Sequence, residues 1–293
     1  MLLKACVRGS HGQKNIFYRF DSFLTNKAPL EIQGIKRFFA EFGFFVLKQL
    51  RACLFAGLFF LALFLCPREG IFGIPRYDIL LLVAIFLQIF MLLCKLESLD
   101  ELKAICFFHF LGFILEAFKT SVVHSWAYPD FAYTKIVGVP LFCGFMYAAV
   151  GSYIIQAWRL FSLKVRHHPP YSLAVFVSFL IYVNFFTHHY IGDFRYYIAA
   201  FLLGLYARAV VIFTPLDKER QMPLLLSFAL IGFFIYLAEN LGTFLGVWAY
   251  PNQLGAWAMV SVGKWGAWSL VIVMTFTITI FLKEMKNKIH IAK

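Results

Sequence analysis

Residues 116–129 read EAFKTSVVHSWAYP, and residues 239–251 read ENLGTFLGVWAYP. Each stretch ends an apolar run with a glutamate and, four residues on, a threonine; a Trp-Ala-Tyr-Pro turn follows. The turns stand 122 positions apart and the Glu and Thr positions 123 apart, so the first stretch carries one residue more. Self-similarity at a fixed offset marks duplication of a structural unit. Working outward, eight apolar runs lie at 50–66, 77–94, 102–119, 136–157, 171–188, 194–213, 222–243 and 257–282. Each comes at or near the roughly 20 residues a membrane helix needs. Shifting the first four by about 122 lays them on the last four, and Arg76-Tyr77 corresponds to Arg195-Tyr196. The pattern predicts an all-α transmembrane protein of eight helices in two four-helix repeats, 50–157 and 171–282. A cytoplasmic or interfacial segment, 1–49, precedes them and a basic cytoplasmic tail, 283–293, follows. Because each repeat has an even number of spans, the two enter from the same side. They are therefore expected to be parallel, related by an axis along the membrane normal.

Composition agrees. Of 293 residues, 61% are hydrophobic and 14% charged, against about 25% charged in soluble domains. The net charge of +12 sits in short connections: 21 Lys and Arg fall on one side of the predicted spans and 5 on the other. This bias places both termini in the cytoplasm and argues against nucleic acid as the partner. No room is left for a separate soluble domain, and no cleavable signal is expected before the first run. Six cysteines include no Cys-x-x-Cys pair, so neither a disulfide framework nor a zinc site is expected. Within 35–49, Ile35, Phe38, Phe39, Phe42 and Val46 share one helical face while Lys36, Arg37 and Lys48 lie elsewhere. That segment is either an interfacial amphipathic helix or an early start to the first span.

Glu116 and Glu239 fall in the outer third of their helices. Ionisable groups at that depth are functional candidates by default, provided they are paired. Lys119 and Lys264 are the expected ion-pair partners, and both Trp-Ala-Tyr-Pro turns are expected on the outer side. Two carboxyl groups across a pseudo-two-fold axis would serve as general acid and base, or as a coupling site for protons or cations. Trp126, Tyr128, Trp248 and Tyr250 are expected to stack on a substrate, and Asn184 and Asn240 to hold it through their amides. His109 lies on the Glu116 face, as a proton relay or as a donor to a backbone carbonyl. His188, His189 and His124 lack metal-ligand spacing, so neither metal nor cofactor is expected. Should the two glutamates divide their roles, Glu239 is expected to be the catalytic one.

Several segments resemble the bacterial integral-membrane proteins grouped as domain-of-unknown-function family 817. They are Phe-Lys-Thr at 118–120, Ser-Trp-Ala-Tyr-Pro at 125–129 and Gly-Val-Pro-Leu-Phe-Cys-Gly-Phe-Met-Tyr-Ala-Ala-Val-Gly-Ser-Tyr at 138–153. Asn-Phe-Phe-Thr-His-His at 184–189, Met-Pro-Leu-Leu-Leu at 222–226 and Ala-Glu-Asn-Leu-Gly-Thr-Phe at 238–244 continue the likeness. It covers about residues 50–282 and implies a multi-pass protein of the bacterial inner membrane. Glu239-x-x-Gly242-Thr243-x-x-Gly246, with Tyr250 and Gly138-Val139-Pro140-Leu141, is locally similar to membrane carotenoid hydratases and lycopene cyclases. Lys119 stands where Gly242 has its first-copy counterpart. Three functions follow: an acid–base enzyme on an apolar isoprenoid or carotenoid-like lipid, a small-solute or proton-coupled transporter, or a structural membrane scaffold. Membrane lipid is the expected partner, with an apolar small molecule as ligand; homo-oligomerisation is compatible with all three.

Overall fold

A computed structural model describes residues 16–26 and 31–291. Parts of the predicted N-terminal segment and the end of the basic tail lie outside the described residues. Among the described residues the chain is helical with two small sheets, the first pairing β1 (Lys135–Ile136) antiparallel with β2 (Val139–Pro140). Its helices are α1 (Ile16–Thr25), α2 (Gly34–Ala52), α3 (Leu54–Leu65), α4 (Arg76–Leu93) and α5 (Leu99–Ala117), then α6 (Cys143–Leu160), α7 (Tyr171–Thr187), α8 (Arg195–Leu205), α9 (Leu224–Phe244) and α10 (Gly263–Ile291). Four are long and apolar enough to cross a membrane: α4, α5 with its extension to Val122, α9, and α10 as far as Phe281. The bent pair α2–α3 makes a fifth if counted as one span. Helix α6 has 18 residues, but Gln156, Arg159 and its small residues dilute its apolar character. Helices α7 and α8 are shorter.

The predicted helix 194–213 needs correction. It ends at Leu205, and Val210–Phe213 form strand β4, paired antiparallel with β3 (Lys164–Arg166) and β5 (Arg220–Pro223). A Val-Val-Ile-Phe run is as apolar as a helix, but its β-branched residues favour a strand. With 11 residues, α8 is about 16 Å long. Cys53, Cys66, Cys106 and Cys143 are free thiols, whereas Cys94 is disulfide-bonded, a bond not expected from cysteine spacing.

Helix α2 meets α3 at a 68° bend. Ile35, Phe38, Phe39 and Phe42 are exposed along it, as is Lys36, while Lys48 and Arg51 are buried. Lys48 donates to the Thr214 carbonyl at 2.7 Å and Arg51 grips Asp21 at 2.8 and 2.9 Å.

The helix that carries Glu116 is built in a readable way. Ser98 and Glu101 form a reciprocal capping box at the start of α5, as Ser-x-x-Glu before an apolar run predicts. Glycines then let α6 approach closely. A Cβ on Gly144 would come within 2.5 Å of the His109 ring, one on Gly151 within 2.2 Å of Phe108, and one on Gly112 within 2.4 Å of Tyr147. His109 packs against Phe145, ring centroids 4.7 Å apart, and among the described residues no hydrogen bond joins it to a carbonyl or a carboxylate. Tyr147 lies across Gly112, one turn below Glu116.

Candidate functional site

The two helices that carry the glutamates end differently. In α9, Gly246 (φ 66°) closes a Schellman motif, with Gly246 N–H bonded to the Thr243 carbonyl at 3.0 Å and Val247 N–H to that of Gly242 at 3.0 Å. Its counterpart at an offset of 122 is His124, also left-handed at φ 53°. Between Thr120 and His124 the chain has one residue more, and it is absorbed as a π-helical turn, Phe118–Val122. A single inserted residue is the usual origin of such a bulge, which often marks a functional site.

Both glutamates are buried and hydrogen-bonded by their own turns. Glu116 Oε2 accepts from Trp126 Nε1 and from the Tyr128 hydroxyl, each at 2.8 Å, and Tyr147 donates to Oε1 at 2.8 Å. Trp248 Nε1 donates to Glu239 Oε1 at 3.1 Å, and the Tyr250 hydroxyl donates to that same oxygen. Burial first, then the neighbouring charges, pushes the Tyr128 and Tyr250 phenols well above their ordinary range, so both stay protonated donors. The two carboxylates are therefore unequal. Glu116 has both oxygens occupied by three donors, whereas Glu239 Oε2 has no hydrogen-bond partner among the described residues.

The turns also meet each other. Ala127 and Ala249 exchange reciprocal backbone hydrogen bonds of 2.9 Å across an antiparallel bridge. Trp126 and Tyr250 stand 6.0 Å apart, and Lys264 places its ammonium over both rings, 4.7 and 4.5 Å from their centroids. Such a cation–π seat is worth roughly 0.5–2 kcal/mol.

The expected partners do not come into direct salt-bridge contact, although Lys264 lies close enough to feel the charges of Glu239 and Glu116. Neither Lys119 nor Lys264 pairs with a carboxylate among the described residues. The π turn carries Lys119 away from Glu116, and its ammonium donates to Nε2 of His189 at 2.8 Å and of His188 at 3.4 Å. Lys264 takes the aromatic seat instead. The amides of Asn184 and Asn240 are likewise spent on structure. Asn184 accepts from Phe194 N–H at 3.0 Å, and Asn240 accepts from Val260 N–H at 2.9 Å and donates to the Tyr236 carbonyl. Both buttress loops and neither lines the cavity described next. Tyr147, absent from the sequence-based set, joins the site; the signal that could have found it is Gly112.

Glu116, Glu239, Trp126, Tyr128, Trp248, Tyr250, Lys119 and Lys264 all line one cavity of about 1020 Å³. That is at the upper end of ligand pockets, which run roughly 300–1,000 Å³. Its polar end holds these groups with His188, His189 and Arg195. Elsewhere the walls are mostly apolar and run along one face of α6 from Tyr147 to Phe161, about 21 Å at helical rise.

These features define a helical membrane protein with two buried carboxylates sharing an internal, largely apolar cavity. The family described as "Protein of unknown function (DUF817)" matches residues 41–276, and the chain belongs to it. It is also 41% identical over 241 residues to the "Uncharacterized protein YoaT" of Bacillus subtilis (strain 168), covering 82% of this chain and 91% of that protein. No solved structure matches.

The local likeness to carotenoid hydratases and lycopene cyclases gains no support from these comparisons, and packing accounts for its residues. Gly242 makes room for the Trp248 indole, which a Cβ would meet at 2.1 Å. Thr243 accepts from Trp257 Nε1 at 3.2 Å. Gly242→Ala is therefore expected to destabilise the protein by about 1–3 kcal/mol through overpacking. Thermal unfolding in detergent would measure it, and an unchanged midpoint would show that Trp248 is free to move.

Proposed function

We propose that this chain is an intramembrane acid–base enzyme acting on a lipid held in the cavity, with Glu239 as the group that exchanges a proton. The observation that carries the reading is the unoccupied Oε2 of Glu239 in a cavity whose other walls are mostly apolar. A proton accepted there turns Glu239 into a carboxylic acid while Oε1 goes on accepting from Trp248 and Tyr250, and it is returned when product forms. Glu116, saturated by three donors, is the structural member of the pair. An isoprenoid tail suits the walls, but polyene stacking is not part of the reading. Lys264 covers the faces of Trp126 and Tyr250, and Trp248 lies on Gly242.

The framework we propose is two parallel four-helix repeats, 50–157 and 171–282, in the bacterial inner membrane with both termini cytoplasmic. The reciprocal Ala127–Ala249 bridge and the matched Glu–Trp–Tyr hydrogen bonds support a two-fold relation; the basic bias of the connections supports the orientation. Protein purified in a mild detergent is expected to retain an extractable lipid, identified by mass spectrometry. That lipid should change chemically when the protein is reconstituted with a total lipid extract. Proton currents from proteoliposomes that need Glu239, without any lipid conversion, would replace the enzyme with a transporter.

A further inference from the structure

The basic groups around Lys119 are not needed by that chemistry. Lys119 is buried, and among the described residues its ammonium is met by two imidazoles and no carboxylate. His188 donates Nδ1–H to the Asn184 carbonyl at 2.8 Å, which leaves its Nε2 an acceptor. Desolvation, then the charge of Lys119, holds His189 down to about 4, so it too faces Lys119 as a neutral ring. Arg195 stands beside them. Asp193, the acidic side chain of the cluster, is already engaged by the Arg195 guanidinium and by Arg195 N–H at 3.0 Å. Glu116 and Glu239 are turned to their own Trp and Tyr donors.

The corresponding position in the first half is closed. Arg76, at the place of Arg195, donates to the carbonyls of Leu63 and Leu245, each at 3.0 Å. Arg195 instead lines the cavity with Lys119, His188 and His189, and His189 is also exposed, so the cavity reaches the surface there. A buried ammonium with two acceptors for its three N–H groups, beside a guanidinium, presents more donors than the described residues supply acceptors for. The rest of the cavity lining is mostly apolar.

We infer that Lys119 and Arg195 seat the anionic head group, phosphate or carboxylate, of an amphiphile whose tail lies along the cavity beside α6, while the His188 and His189 rings hold the Lys119 ammonium in place. The inference rests on reading the cavity as a lipid site and adds the chemistry of the lipid's head.

The test titrates full-length protein in a nonionic detergent with dodecyl phosphate, dodecanol and inorganic phosphate, read by tryptophan fluorescence. Dodecyl phosphate is expected to bind at least tenfold more tightly than dodecanol. The preference should vanish in Lys119→Met and persist in Lys119→Arg, with dodecanol binding unchanged in both. Inorganic phosphate should not bind in the same range. Arg195→Gln, at a less buried position, is expected to weaken the preference in the same direction and serves if Lys119→Met fails to fold. Equal binding of dodecyl phosphate and dodecanol would overturn the anionic head and leave the lipid cavity standing. Inorganic phosphate binding as tightly as dodecyl phosphate would show a free-anion site and overturn the amphiphile. Binding of neither amphiphile would remove the lipid reading itself.

Discussion

Glu239→Gln is expected to lower conversion of the bound lipid by about 100-fold or more while leaving thermal stability close to wild type. Proton transfer by a positioned side chain contributes roughly 10²–10⁴-fold, and an amide cannot supply it. Structurally the change is mild. Trp248 and Tyr250 both donate to Oε1, so the carboxamide oxygen can take that place and its NH₂ can face the cavity. Glu116→Gln should behave in the opposite way. Its two oxygens accept from three donors, so one of them must meet an NH₂ group. Hydrogen bonds to a charged group are worth about 1.5–3 kcal/mol, so a loss on the order of 2 kcal/mol is expected, with less effect on conversion. Reconstituted protein, lipid mass spectrometry and unfolding in detergent measure both variants. Full conversion by Glu239→Gln would sink the enzyme reading, and equal destabilisation of both variants would favour a scaffold.

The contrast shows which parts of the site can be read from one sequence. Duplicated Glu and Trp-Ala-Tyr-Pro segments single out residues that come to line one cavity, because identity at a fixed offset needs no geometry. Their roles are less accessible. Reading Trp126, Tyr128, Trp248 and Tyr250 as ligand-stacking groups overlooks that a buried carboxylate needs local donors. The turns place an indole N–H and a phenol within 9 to 12 residues of each glutamate. Pairing Glu116 with Lys119 assumes α-helical spacing, which the π turn abolishes; the one-residue difference between the two stretches was its signature. Asn184 and Asn240 look like ligand groups in a helix, yet they receive backbone N–H groups of loops more than ten residues away or nearly so. The β4 error has a different source. Hydropathy does not separate a buried strand from a helix, and the β-branched run was the better guide.

Arg76→Met is expected to destabilise the protein by about 3–5 kcal/mol, the range for removing one member of a buried charged network. Arg76 is 2% exposed, and its guanidinium ties the end of α3 at Leu63 to the end of α9 at Leu245. Next to it the Tyr77 hydroxyl donates to the Val247 carbonyl at 2.7 Å and accepts from Asp130 N–H at 3.3 Å. Together these two residues hold the turn that delivers Trp248 to Glu239 from the far half of the chain. Methionine has similar bulk but leaves two carbonyls without their donors and removes the buried one of the two cations beside Asp130, at 3.9 Å. Arg68 is the internal control, since it faces the same Asp130 at 3.6 Å with a side chain 60% exposed. Arg68→Met should cost no more than about 0.5 kcal/mol, as exposed ion pairs do. Because the Arg76 clamp sets the position of Trp248, Arg76→Met should also release Glu239 from its indole donor and change Trp248 fluorescence before global unfolding. Wild-type stability in Arg76→Met would mean that the two halves are held by packing alone, and that the Ala127–Ala249 bridge, not the buried arginine, aligns the carboxylates.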